Sequence, residues 1–232
     1  MSGGIAGWRV VVSAGPTYED IDPVRFLGNR SSGKMGFAIA EAAAGLGAQV
    51  VLVAGPVHLP TPAGVRRIDV RSAAQMHAAV LGALPADAYI GAAAVADFTP
   101  ARVSAAKLKK QPGQEAMTLA LVRTADILRD VAAHPRRPRL VVGFAAETEG
   151  DAQARAALAR DKRVRKGADV LAANRVGVPG SGFESDDNAL HLYWHDGERA
   201  LGPAPKTALA RELLAFLASR FASPDPARSP PT

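Results

Sequence analysis

The run Trp8-Arg9-Val10-Val11-Val12-Ser13-Ala14 (WRVVVSA), closed by Gly15-Pro16, decides the fold class. Its apolar character is continuous rather than alternating, which is what a strand buried on both faces requires. Working outward, small and apolar residues recur at helical spacing over 34–46, with Gly47 as the stop. Residues 49–54 (QVVLVA) form a second buried run ended by Gly55-Pro56, and 66–70 read as a third strand. Ser72 is placed to cap a helix through Met76 and Val80 to Leu84, and 89–94 (YIGAAA) is the fourth apolar run. Strands alternating with helices in this way predict an α/β fold: a doubly wound, Rossmann-like, mostly parallel sheet with helices on both faces.

The second half continues the pattern. Residues 118–123 alternate like a half-buried strand, 126–133 have helical spacing, and 140–145 (LVVGFA) read as another buried strand. A long helix rich in alanine and arginine is expected over 150–166, strands over 169–173 and 191–194, and a final amphipathic helix over 206–221. Residues 223–232, with four prolines, are expected to be disordered, leaving one domain over 1–222.

Composition narrows the chemistry. Without a single cysteine, the 232 residues can form no disulfide, thiolate metal site or cysteine nucleophile, so any thiol chemistry belongs to a substrate. No apolar run reaches the roughly 18 residues of a membrane span, and the first seven lack the features of a signal peptide, so a cytoplasmic protein is expected. Lysines and arginines number 28 against 22 acidic residues, an excess of +6 that suits a phosphate-rich ligand. Aromatics at 5% argue against base-stacking platforms and hence against a nucleic-acid partner.

Between the first strand and its helix lie nearly twenty residues, 15–33 (GPTYEDIDPVRFLGNRSSG), where about two to six is usual. In an open α/β sheet this connection borders the ligand crevice, and its Asp22, Arg25, Asn29, Arg30, Ser31 and Ser32 are polar groups between anchoring Phe26 and Leu27. Residues 28–35 (GNRSSGKM) nearly match a phosphate loop but fail at Met35, where a hydroxyl would hold magnesium. What survives is a helix N-terminus able to hold an anion. A dinucleotide fingerprint after the first strand and a Tyr-x-x-x-Lys pair are both missing. At the end of the fourth strand, 91–97 (GAAAVAD) offers backbone that a ligand can approach closely, with Asp97 as a candidate for a metal or hydroxyl. Basic clusters follow at 107–110 (KLKK) and 162–166 (KRVRK), whose two lysines share a helix face. The histidines show no metal spacing, and the acidic residues at 184–187, with Asn188, read as a turn.

Together, the blocks SAGPT (13–17), DPVRF (22–26), NRSSGKMG (29–36), GAAAVAD (91–97), KLKK (107–110) and GFAAET (143–148) resemble the phosphopantothenoylcysteine synthetase domain of coenzyme A biosynthesis, over about residues 8–221. That resemblance implies a ligase: the carboxylate of 4′-phosphopantothenate attacks the α-phosphate of CTP with release of pyrophosphate, and the amine of L-cysteine then displaces CMP from the acyl-cytidylate. It implies Mg2+ as cofactor, a homodimer, and a phosphopantothenoylcysteine decarboxylase as partner or adjoining domain. Nothing in the chain resembles that decarboxylase, so the chain is read as a free-standing synthetase or one half of a bifunctional protein.

By motif position, Asn29 stands beside the acyl intermediate and the pantothenate group, and Lys107 touches the triphosphate and its leaving pyrophosphate. Gly15, Ser31, Ala92, Ala93, Ala94, Asp97, Ala125, Asp126, Ile127, Leu128, Phe144, Lys162 and Lys166 form the nucleotide set, with Ala125 replacing the family's usual proline and Asp97 also the metal contact. Arg25 is the candidate for the substrate phosphate, on its own subunit or across a dimer interface. The dimer is also expected from apolar side chains in the long loop and at 190–194. Two other readings use the same fold: an NAD(P)-dependent reductase and a non-catalytic nucleotide-binding or nucleic-acid-binding module.

Overall fold

The computed structural model describes residues 4–110, 112–113, 115–147, 151–175 and 186–221. In chain order the elements are β1 (Arg9–Ala14), β2 (Tyr18–Asp20), β3 (Phe26–Gly28), α1 (Lys34–Gly45), β4 (Gln49–Ala54), β5 (Val65–Asp69), α2 (Ala73–Gly82), β6 (Ala88–Gly91), β7 (Phe98–Pro100), β8 (Leu121–Arg123), α3 (Ile127–Ala132), β9 (Leu140–Glu147), α4 (Ala152–Lys166), β10 (Val170–Arg175), β11 (Asp187–Trp194), β12 (Gly197–Pro205) and α5 (Lys206–Phe221). Eight strands form the central sheet in the order β12-β11-β10-β9-β6-β1-β4-β5. The six from β10 to β5 are parallel, and β11 and β12 extend the sheet antiparallel. Chain direction across the sheet reverses at β1 and β6, which pair Val10 with Ala88 and Ser13 with Gly91.

Both faces of β1 are dry, as the unbroken valine run requires. Val10, Val12 and Ala14 join the layer built by α1 and α5, while Val11 packs with Met76 and Val80 of α2 and Ile127 and Val131 of α3. A third cluster seats α4, through Ala159, on Leu171, Ala173 and Tyr193. Ser72 caps α2 as expected, accepting from the Gln75 N–H while the Gln75 side chain accepts from the Ser72 N–H. Gly36 brings α1 against β1: a Cβ there would lie 2.4 Å from that of Ala14.

Several expectations need correcting. The segment 118–123 is no half-buried strand; only Leu121–Arg123 is extended, and it is exposed and paired with β7 outside the central sheet. Residues 190–194 do not form an exposed edge, because β12 covers β11: Leu190, Leu192 and Tyr193 are buried, and Trp194 leans on Phe216. That removes one of the two residue-level arguments for a dimer. Asp187 and Asn188 open β11 rather than forming a turn. β12 itself was not expected, since its sequence GERALGPAP carries two glycines and two prolines, which an edge strand tolerates and a central one does not. The tail 223–232 lies outside the described residues.

Candidate functional site

A cleft of about 1000 Å³ opens at the carboxyl ends of β1 and β6, where the strand order reverses and open α/β sheets bind ligands. Its floor is the Ser13–Tyr89 hydroxyl pair, 2.9 Å apart and buried. Burial pushes the Tyr89 phenol up to about 12, opposed in part by the bond to Ser13, so the floor stays neutral. Backbone of 91–95 makes one wall and the start of α1 another; Thr124 to Asp130, with Phe144, Lys162 and Lys166, close the far side.

The small-residue wall is fixed by backbone bonds. The Ala92 N–H donates to the Ser13 carbonyl and that of Ala94 to Gly15, while Thr17 Oγ1 accepts from the Ala96 N–H. Asn29 reaches this wall from the long connection, its Nδ2 donating to the Ala94 carbonyl at 3.0 Å. The connection is therefore an ordered arm: β2 and β3 form a hairpin in which buried Glu19 accepts from the Ala73 N–H at the start of α2. At the mouth of α1 the N-cap Gly33 has φ 75° and lies against Gly15, so neither position accommodates a side chain. Gly33 has no side chain with which to cap this helix and the first turn holds no acid, and Ser31 and Ser32 line the cleft beside the helix start.

Electrostatically the cleft favours an anion. Lys34, Arg123, Arg129, Lys162, Lys166 and Lys206 line it against Asp97, Asp126 and Asp130. Two of those carboxylates are committed: Asp126 pairs with Lys166 and caps α3, and Asp130 meets His77 at 3.0 Å. Among the described residues no three His, Cys, Asp or Glu side chains stand together as a metal cage. Asp97, exposed at the rim, suits at most an ion that arrives on its ligand.

The structure thus brings Asn29, Ser31, Ala92, Ala93, Ala94, Asp97, Ala125, Asp126, Ile127, Leu128, Phe144, Lys162 and Lys166 to one cleft. Gly15, Arg25 and Lys107 are outside its lining. Gly15 sits behind Gly33. Arg25 is turned to Asp22 (2.5 Å) and to the Leu108 carbonyl, and the Leu108 N–H also donates to Asp22. Buried Asp22 therefore docks the 107–110 basic segment onto the arm, away from the cleft in a single chain. The Arg25 guanidinium, helped by backbone N–H groups, holds the Asp22 carboxyl well below the usual carboxylate range against the opposing effect of burial.

Residues 5–221 match the DNA/pantothenate metabolism flavoprotein C-terminal domain family. The chain belongs to that family. It is 49% identical over 211 residues to the coenzyme A biosynthesis bifunctional protein CoaBC of Vibrio cholerae, covering 90% of this chain and 52% of that protein. Against CoaBC of Escherichia coli (strain K12) the identity is 48% over 215 residues, 92% of this chain and 52% of the relative. This family member thus spans about half the length of these relatives. A crystal structure of the C-terminal domain of CoaBC superposes with a TM-score of 0.76 at 37% identity, over 94% of this chain and 97% of that one.

Sequence reasoning did not single out Asn174, Asn188, Lys206 or the Ser13–Tyr89 pair, all of which line the family member's cleft. Ser13 and Tyr89 read as strand core, and only their register on β1 and β6 joins the hydroxyls. Asn188 and Lys206 come from β11 and the start of α5, elements that reach the cleft only once the antiparallel extension has folded. Among the described residues no helix is long and apolar enough to cross a membrane.

Proposed function

We propose that this chain is a phosphopantothenate–cysteine ligase that condenses 4′-phosphopantothenate with L-cysteine at the expense of CTP, giving pyrophosphate, CMP and 4′-phosphopantothenoylcysteine. The observation that carries the reading is one cationic cleft in which the open N-terminus of α1, the 91–97 backbone and the 125–128 turn converge. The bifunctional relatives are named for coenzyme A biosynthesis, and that supports the reading.

Two anions must be brought together before a carboxylate can attack a triphosphate, and alignment with charge neutralisation is the main catalytic demand. The α1 N-terminus, Ser31, Lys162 and Lys166 receive phosphates, while Ala92 to Ala94 and Phe144 bracket the nucleoside. Asn29, steadied by Ala94, orients the acyl carbonyl and supports the oxyanion formed when the cysteine amine attacks. No side-chain nucleophile is needed, consistent with a chain lacking cysteine. The single carboxylate of Asp97 would hold a largely hydrated Mg2+ bound to CTP, and that ion would supply screening of the phosphate charge. Arg25 and Lys107 act from a neighbouring subunit of a homodimer, since within one chain Asp22 holds both segments aside. The reaction belongs in the cytoplasm, and a phosphopantothenoylcysteine decarboxylase, as a separate protein or adjoining domain, consumes the product.

Purified protein incubated with 4′-phosphopantothenate, L-cysteine, Mg2+ and CTP is expected to form the amide, seen by mass, with one CMP per product. Absence of product with CTP and ATP alike would overturn the ligase reading, and CTP binding without turnover would favour the binding module.

A further inference from the structure

The 94–97 backbone, the cleft wall that ends in Asp97, is held from two sides by segments far apart in the chain. From the arm, the Thr17 N–H and Asn29 Nδ2 both donate to the Ala94 carbonyl, and Thr17 Oγ1 accepts from the Ala96 N–H at 2.9 Å. From the other side, Thr124 Oγ1 donates to the Ala96 carbonyl at 2.6 Å, and the Thr124 N–H donates to the Asp97 carbonyl at 3.0 Å. Both backbone polar groups of Ala96 are therefore taken by threonine hydroxyls. No strand runs through Ala96, since β6 ends at Gly91 and β7 starts at Phe98, so side chains supply the bonds that a ladder would.

What the two hydroxyls join gives them a task. Thr17, fully buried, belongs to the arm that presents Asn29. Thr124, partly buried at the cleft, directly precedes the 125–128 turn, where Asp126 caps α3 and pairs with Lys166. The two meet at Ala96, one residue before Asp97. A group in a site is only as well placed as the shell that holds it. We propose that Thr17 and Thr124 are positioning residues, which clamp Ala96 and so set Asn29, Asp97 and the 125–128 turn at the spacing the nucleotide needs. This rests on the ligase reading above. Neither hydroxyl is given a contact with substrate; both act through the wall.

Thr124→Val keeps the side-chain shape and removes the donor, while Thr124→Ser keeps the hydroxyl. With purified protein well below its melting temperature, Thr124→Val is expected to weaken CTP binding about tenfold, the scale of one lost buried hydrogen bond, and to lower kcat for amide formation. Its KM for cysteine should stay within about twofold of wild type, and Thr124→Ser should recover most of the loss in CTP binding. Because both hydroxyls work on one residue, Thr17→Val combined with Thr124→Val should lose less than the product of the single losses. If Thr17→Val does not fold, the Thr124 pair carries the test. Wild-type CTP affinity and kcat in Thr124→Val, with only the melting temperature lowered, would overturn the proposal, as would a loss that serine does not recover. Wild type that binds CTP but forms no amide overturns the ligase reading alone, and the CTP titrations still decide the clamp; wild type that binds no CTP overturns both.

Discussion

Asn29 spends one amide hydrogen on the Ala94 carbonyl, which fixes the side chain at the cleft wall. Replacing it with alanine should reduce amide formation by about 2–4 kcal/mol of transition-state stabilisation, the range for losing one oxyanion-type donor, with little change in melting temperature. Turnover at saturating substrates measures this, and wild-type turnover would refute the role. Asp22 works at one remove from the chemistry. Its carboxyl is depressed on folding, so its stabilising effect is complete above the unfolded value of about 3.9 and is lost as pH falls through the lower folded value. Asp22→Asn should therefore lower the unfolding midpoint by a constant amount between pH 6 and 8. The difference from wild type should close only below about pH 4, and trypsin should cut the 107–110 segment faster throughout. Asn29 and Asp97 were legible because each sits in a local motif whose meaning travels with its neighbours. That Lys206 and Asn188 line the cleft was not, because it depends on the packing of β11 and α5 beside α1, far away in the chain.

Among the elements, α1 shows most directly how packing places chemistry. Its N-terminus faces the cleft because Gly36 lets the helix lie against Ala14. Gly36→Ala would put a methyl where the Ala14 side chain already stands, so it should cost about 1–3 kcal/mol of stability and weaken nucleotide binding as the helix start is displaced. Denaturant unfolding and CTP titration of the same sample check both effects. The buried parallel strands could be read from their sequence because both faces are apolar. The small pairs β2–β3 and β7–β8 could not: they are three-residue strands held by partners such as Arg71, which bonds Asp20 and covers the Tyr18 and Phe26 rings. Length and polarity marked the long connection as bordering the crevice, and Asn29 and Ser31 do line the cleft, but its hairpin shape comes from tertiary contacts.

At the scale of the molecule, Val24, Phe26, Phe98, Val103, Met117 and Val122 are exposed apolar side chains on neighbouring segments, joined where the Ser104 N–H donates to the Ile21 carbonyl. Exposed apolar side chains on the arm that carries Arg25 and on the segments beside it support the proposed homodimer. Sedimentation should give twice the 24.0 kDa chain mass, and Phe98→Asp should shift the protein toward monomer with loss of activity; a fully active monomer would contradict the proposed dimer. The central claim is that this cleft activates a carboxylate as a nucleotide mixed anhydride before cysteine takes part. Rapid-quench measurement of pyrophosphate with CTP, 4′-phosphopantothenate and Mg2+, but no cysteine, tests it most directly. The account predicts a burst close to one equivalent per active site, with CMP accumulating over further turnovers only once cysteine is added; pyrophosphate release that depends strictly on cysteine would contradict it.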